Sequence, residues 1–200
     1  MMATTHALVG AALAAAVSVI APELAPAALV AGLAGGAFPD LDLYGYHRRT
    51  LHFPSLYTVA AAMTGLVAVA APTVVTVGAA TFFVAAALHA RMDRYGGGLE
   101  LRPWQNTSDR AVYDHVRGRW RRPLRWVRYD GAPEDLLVAT VFAVPPLLVF
   151  DGAVQLGVLA VLGVSGGYVA VRKRLPDLAV VLAGYVPRPF ADHVPARYRG

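Results

Sequence analysis

The sequence predicts an all-α, polytopic membrane protein with about six transmembrane helices in three helical hairpins. Three observations predict this fold class: 56% of the residues are hydrophobic, only 16% are charged, and residues 53–88 contain no charged residue at all. Soluble domains carry roughly a quarter charged residues. Uncharged apolar runs of this length are typical of membrane spans. A soluble helical bundle is the alternative that this composition leaves open.

The hairpins follow from a break near the middle of each long apolar stretch. As one helix, residues 7–38 would run about 48 Å, well beyond a hydrocarbon core of about 30 Å. The segments APELAP, AAP and FDGA supply the breaks. The predicted pairs are 5–21 with 24–38, 55–70 with 73–92, and 135–150 with 153–171. The glycines of GLAGG (32–36) predict close helix packing in the second span.

The basic residues predict the orientation of these spans. All 18 lie in three segments: the connection after the second span, the loop 91–135 and the tail 172–200. By the positive-inside rule, both termini and these three segments are expected on the cytoplasmic side of the cell membrane. Residues 1–200 are therefore predicted to form a single membrane-embedded domain with a basic cytoplasmic loop and a cytoplasmic tail.

One part of the loop has a helical pattern. Residues 107–120 (TSDRAVYDHVRGRW) begin with a capping-type Thr-Ser and repeat apolar side chains at helical spacing. This pattern predicts a basic amphipathic helix that lies on lipid headgroups. A solvated loop is the alternative, and a nucleic-acid-binding patch is less favoured.

Ionisable side chains concentrate at the same expected membrane face. His89 and Asp93 end the fourth span at i, i+4 spacing, so they share one helix face. Such groups are costly at membrane depth, and their clustering predicts a partner that uses histidine and aspartate together. The candidate metal ligands, from the first span through FPDLDLYGYHRRTLHF (38–53) to the fourth span, are His6, Asp40, Asp42, His47, His52, His89 and Asp93.

The residue types indicate which metal chemistry to expect. Imidazole and carboxylate ligands suit zinc, iron or manganese, and bridging aspartates suit sites with two or more ions. The absence of cysteine excludes a cysteine-based zinc site and thiolate catalysis. A divalent transition metal, with zinc favoured, would activate water as the nucleophile. Arg48 is the candidate for binding phosphate, and Asp42 is a candidate general base as well as a ligand.

Four motifs carry a resemblance to a known family. THALVG (5–10), FPDLD (38–42), HRRTLH (47–52) and HARMD (89–93) resemble the motifs of the membrane-bound, YdjM-like metal-dependent hydrolases of the inner membrane. A more distant similarity to zinc-dependent phospholipase C and related nucleases implies phosphoester hydrolysis. The chain departs from the family around His52, where the family commonly has Thr-His-Ser.

The resulting expectation is a membrane-bound metal-dependent hydrolase of phosphoester or phospholipid-type substrates, with membrane lipid as its partner. The alternative is a non-catalytic membrane protein, either a metal-binding scaffold or a metal transporter. A transporter predicts ligands near the bilayer midplane on several helices, whereas these candidates gather at one face.

Overall fold

A computed structural model describes residues 1–44, 46–187 and 194. The described chain is mostly helical, with one small sheet, so the predicted all-α class is corrected only by that sheet. The helices are α1 (Ala3–Ile20), α2 (Ala25–Ala37), α3 (Pro54–Ala70), α4 (Val74–Met92), α5 (Pro133–Val149), α6 (Gly152–Val171) and α7 (Leu175–Gly184). The first six coincide with the predicted apolar segments to within two residues at every end.

Local sequence explains where several helices begin. Proline stands in the first turn of α3 and α5, where its missing N–H costs no helical hydrogen bond. Helix α4 begins with a capping box, in which Thr73 and Thr76 satisfy each other's backbone N–H groups. These signals set the starts of α3, α4 and α5 at Pro54, Val74 and Pro133.

Helix α1 lies at the centre of the bundle. It packs against α2, α4, α5 and α6, while α2 and α3 also pack against α4. At the crossing of α1 and α2, a Cβ on Gly10 would meet the backbone of Gly32, and the converse holds for Gly32. The predicted close packing of the 32–36 segment is therefore confirmed, and only glycine fits at this crossing.

Four segments are long and apolar enough to cross a membrane. They are Ala3–Ile20, Pro22–Leu43, Val74–Tyr95 and Gly152–Val171. Only 11% of the last window is buried inside the protein, so most of its apolar surface faces outward, as a lipid-facing helix requires. Helix α3 is apolar but has only 17 residues. Six membrane crossings therefore stay a prediction.

The predicted helix over 107–120 is wrong. Strands β1 (Val112–Asp114) and β2 (Arg119–Arg121) form an antiparallel hairpin in which Tyr113 pairs with Trp120. Gly118 adopts φ +63° in the connecting turn, and the Asp114 carboxylate accepts the backbone N–H of Arg117. A side chain that bonds its own backbone in this way competes with helix formation, and aromatic and β-branched residues favour strands.

The predicted tail is described only in part. Helix α7 covers most of the apolar run that begins it, and its first turn contacts the loop through Asp177, which accepts from Arg102 at 2.6 Å. Residues 188–193 and 195–200 of the tail lie outside the described residues.

Candidate metal centre

Four of the seven predicted ligands converge. Asp40 lies in the 3₁₀ segment Phe38–Tyr44 after α2, His52 precedes α3, and His89 and Asp93 lie at the end of α4. One ligand atom from each of these four side chains lies within 4.8 Å of the others. Three of the four are fully buried, and Asp40 is partly exposed.

His52 is oriented by a carboxylate. Its Nδ1 lies 2.9 Å from Asp42 Oδ2, and its Nε2 lies 3.1 Å from Asp93 Oδ2. An ionised carboxylate only accepts hydrogen bonds, so the Asp42 contact holds a proton on Nδ1. Nε2 also faces a carboxylate, and a metal ion held by both His52 and Asp93 would take the place of a second proton there. This carboxylate–histidine pairing is the usual outer support of a metal-binding histidine.

His89 is oriented by a backbone carbonyl. Its Nδ1 donates to the oxygen of Gly36 at 2.6 Å. Its Nε2 points toward Asp40 Oδ1 at 3.4 Å and Asp93 Oδ2 at 3.6 Å, and this buried nitrogen has no hydrogen-bond partner. Because a buried polar atom is rarely left unpaired, this nitrogen calls for a ligand.

Asp93 contacts several cationic groups. Its Oδ1 accepts from the Met1 amino group at 2.8 Å, and its Oδ2 lies 3.3 Å from Arg48 Nε. His6 Nε2 lies 3.2 Å from Oδ1. A carboxylate that is 98% buried needs such cations, and a metal ion would supply the same charge compensation.

The other three predicted ligands surround the convergent group. His6 stacks on His89 with ring centroids 3.7 Å apart, and its Nδ1 has no hydrogen-bond partner. His47 Nδ1 lies 2.8 Å from Asp42 Oδ1, and its side chain is 21% exposed. Asp42 thus bonds two histidines, and it also accepts the backbone N–H of Leu51. Asp42 stands one hydrogen bond further from the centre than His52, and His47 stands two.

The predicted phosphate-binding arginine is held in place. Arg48 has φ 59°, a left-handed backbone conformation that is uncommon outside glycine. Its Nη1 donates to the carbonyl of Gly97 at 2.9 Å, and its own carbonyl accepts the N–H of Tyr113. These contacts connect the centre to the β-hairpin loop. Nη1 also lies 3.5 Å from the Ala111 carbonyl and Nε lies 3.3 Å from Asp93 Oδ2, so among the described residues the Nη2 donors are the part of the guanidinium left for a ligand.

A buried carboxylate fixes the start of α1. Asp135 accepts from the Met2 N–H at 2.8 Å, the Thr5 hydroxyl at 2.7 Å and the Gly131 N–H at 3.1 Å. All three are charge-assisted hydrogen bonds in the protein interior. Thr5 precedes His6, so Asp135 on α5 sets the position of that histidine.

A cleft of about 460 Å³ opens beside the centre. Asp40, His47 and Arg48 line one end, so the cleft touches the convergent group through Asp40. Its other lining residues come from the N-terminus, residues 98–101, α6 and α7, and they include apolar side chains such as Val164 and Leu175 as well as charged Glu100, Asp130 and Arg172. A cleft lined by both charged and apolar side chains suits an amphiphilic molecule.

An ion pair also lines this cleft. Arg172 Nε lies 2.8 Å from Asp130 Oδ2, and the Tyr168 hydroxyl donates to the same oxygen at 2.7 Å. Burial works against the charge of Asp130, but the hydrogen bonds and the charge of Arg172 outweigh it and lower the pKa of Asp130. This pair fastens the end of α6 to the loop before α5.

The convergent residues fit a divalent transition metal. Two imidazoles and two carboxylates are a donor set that zinc, iron and manganese accept. Each of the two histidines has its Nδ1 proton bound elsewhere and its Nε2 directed at the group. The unpaired Nε2 of His89 is the atom that a metal would satisfy.

Sequence reasoning missed three groups of this centre. No sequence motif identifies the carbonyl of Gly36 as a hydrogen-bond acceptor, although the glycines of residues 32–36 indicated that helices approach closely there. Asp135 lay in a predicted span, and its acidic side chain at a span start was the signal that could have found it. The Met1 amino group offers no sequence pattern.

Comparison with known proteins gives one result. A family model described as YdjM inner membrane protein matches residues 1–174, which include every candidate residue of the centre. No curated protein and no solved structure shows significant similarity to the chain.

Proposed function

The chain belongs to the YdjM inner membrane protein family, and from its Asp/His centre we propose a membrane-bound, metal-dependent hydrolase. Phosphoester or phospholipid-type substrates are favoured. The proposal rests on one observation: Asp40 belongs both to the convergent ligands and to the lining of the cleft, so the cleft reaches the metal centre. A buried structural metal would have no need of a cleft at its side.

The residues of the centre have different proposed roles. Asp40, His52, His89 and Asp93 would hold the ion, which supplies Lewis-acid polarisation of a phosphoryl oxygen and lowers the pKa of water. Asp42 acts by orienting His52, because it is buried, does not line the cleft and already accepts from His47, Leu51 and His52. This role replaces that of a general base.

Arg48 and the apolar walls supply the substrate contacts. The Arg48 guanidinium lines the cleft beside Asp40, where a phosphate oxygen can accept its hydrogen bonds. The apolar residues of α6 and α7 accommodate an acyl chain, since these helices also expose apolar side chains to lipid. The charged end then meets the headgroup, on the face proposed to be cytoplasmic.

The experiment is a hydrolysis panel on detergent-purified protein that has been reloaded with Zn²⁺ or Mn²⁺. Phosphatidic acid, phosphatidylglycerol and a soluble phosphodiester are the substrates, and His89→Ala is compared with His115→Ala, a histidine outside the centre. We expect metal-dependent turnover that falls at least about 100-fold in His89→Ala, since even outer metal-site partners cost 10–100-fold. Equal activity in both variants would contradict the proposal.

A non-catalytic scaffold makes a different prediction in the same panel. It would bind the metal stoichiometrically and turn over none of the substrates, with or without Arg48. Metal transport is disfavoured because the ligands gather at the ends of α2 and α4 instead of midway along them.

A further inference from the structure

A second cavity lies on the other side of the end of α4. It encloses about 250 Å³ between the start of α3, the end of α4 and the β-hairpin, and it shares no lining residue with the cleft of the metal centre. Four arginines and one carboxylate line it, namely Arg91, Arg94, Arg117, Arg121 and Asp114. The cavity is therefore strongly positive.

Asp114 holds two of the arginines in position. Its Oδ2 accepts from Arg117 at 2.9 Å and from Arg121 at 3.3 Å, while Ser55 contacts its Oδ1 at 3.3 Å. The carboxylate is 3% exposed, so it is a fixed part of the wall. Each guanidinium has five N–H donors, and these bonds leave most of them free for a ligand.

The other two arginines have no carboxylate partner among the described residues. Within residues 1–44, 46–187 and 194, neither Arg91 nor Arg94 forms an ion pair or a side-chain hydrogen bond, and the buried Nε of Arg94 has no partner. The neighbouring Asp93 is committed to Arg48 and the Met1 amino group. Arg91 is exposed to solvent, whereas the Nε of Arg94 is buried, and a buried donor without a partner calls for an anion in the cavity.

We propose that this cavity binds a phosphate-class anion, either the headgroup of an anionic phospholipid or free phosphate. Guanidinium groups bind phosphate oxygens in bidentate fashion, and several are available here. The site is separate from the metal centre and does not depend on hydrolysis.

The surroundings of the cavity match the level of lipid headgroups. Tyr95 lines the cavity, and the ring of Trp126, which is 75% exposed, packs edge-on against it at 4.9 Å. Exposed tyrosine and tryptophan are enriched at membrane interfaces. Basic pockets beside membrane helices are known binding places for anionic headgroups.

The test uses two probes on the detergent-purified full chain. Native mass spectrometry follows the binding of phosphatidylglycerol against an excess of phosphatidylcholine, and ³¹P NMR line broadening follows inorganic phosphate. Arg91→Gln/Arg94→Gln is compared with Arg119→Gln/Arg122→Gln, which removes the same charge from exposed positions outside the cavity. Thermal unfolding in detergent checks that each variant keeps its fold.

We expect the cavity variant to lose at least about tenfold in apparent affinity, because each charge-assisted hydrogen bond contributes about 1.5–3 kcal/mol and 1.4 kcal/mol is tenfold. The exposed-position variant should stay near wild type. Binding of the lipid alone identifies a headgroup site, and equal variant dependence with phosphate identifies a free-anion site. Either result supports the proposal.

The proposal is overturned if wild type binds neither probe, or if both double variants lose affinity equally. Should Arg91→Gln/Arg94→Gln fail to fold, Arg91→Lys/Arg94→Lys keeps the charge and removes the bidentate geometry. That variant should lose affinity to a smaller extent, and wild-type affinity in it would contradict recognition by guanidinium.

Discussion

The Nδ1 atom of His89 lies 2.6 Å from the carbonyl oxygen of Gly36, so α2 sets the orientation of a histidine on α4. The same glycine lies against α1, because a Cβ at Gly36 would meet the backbone of His6 and Ala7. One residue without a side chain therefore brings three helices together at the metal centre. Its contacts leave no room for a side chain at this position.

Gly36→Ala should separate α1 from α2 and disturb both histidines. Overpacking at a close contact typically costs about 1–3 kcal/mol, so we expect a lower unfolding temperature and a reduced metal content. Thermal unfolding in detergent and elemental analysis measure the two effects. Gly157→Ala on α6, where a Cβ meets nothing within 4 Å, is the matched control. If the two variants behave alike, the close approach at Gly36 is not needed.

Asp42→Asn should weaken metal binding without preventing it. The change removes the charge that holds the Nδ1 proton of His52, and loss of such an outer partner typically costs about 10–100-fold in affinity. Competition with a fluorescent chelator measures the dissociation constant. Asp151→Asn, an exposed aspartate elsewhere, should leave it unchanged.

Two other outcomes for Asp42→Asn are informative. Loss of a full metal equivalent per chain would make Asp42 a ligand, as the sequence alone left open. An unchanged dissociation constant would contradict its role in orienting His52.

Asp135→Ala should destabilise the bundle. It removes the acceptor of three buried donors, and a buried donor without a partner costs about 1–3 kcal/mol. We expect a loss of about 3 kcal/mol and a fall in unfolding temperature of roughly 10 °C. Asp109→Ala, whose ion pair with Arg122 is exposed, should change the temperature by about a degree at most. An equally small change in Asp135→Ala would contradict the claim that Asp135 holds the start of α1 in place.

The helices and the convergence of the main ligands could be predicted from the sequence, because both follow from local patterns. Long apolar runs with Pro and Gly breaks can only be short helices in a bilayer, and the i, i+4 spacing of His89 and Asp93 puts both on one face. The contacts from Asp135 to Met2 and Thr5 join residues more than 100 positions apart, and no local pattern encodes them.

The β-hairpin shows where local reasoning failed. The spacing of apolar residues in 107–120 fits a helix, but the Asp114 carboxylate and the left-handed Gly118 stabilise a turn between two strands. A tertiary contact also favours the hairpin, because the Tyr113 N–H donates to the carbonyl of Arg48.

The Asp130–Arg172 pair should make stability depend on pH. The pKa of Asp130 is lowered in the folded protein, so its charge contributes stability above the unfolded pKa of about 4 and loses it as pH falls toward the folded value. We therefore expect wild type to exceed Asp130→Asn in unfolding free energy at pH 7, with the difference shrinking below about pH 4.

Unfolding of both proteins between pH 7 and pH 3 measures this difference. Asp177→Asn removes a carboxylate whose pair with Arg102 is exposed, and its difference from wild type should stay small throughout. A difference for Asp130→Asn that does not change with pH would contradict the role of the charge.

Elemental analysis tests the central claim most directly. The protein is purified in detergent without chelator, and wild type is measured beside His89→Ala and Asp40→Ala, with His115→Ala as the control histidine. The account predicts at least one equivalent of a divalent transition metal per chain in wild type and in the control, and its loss in the other two variants. A wild-type protein that folds and carries no stoichiometric metal would contradict it.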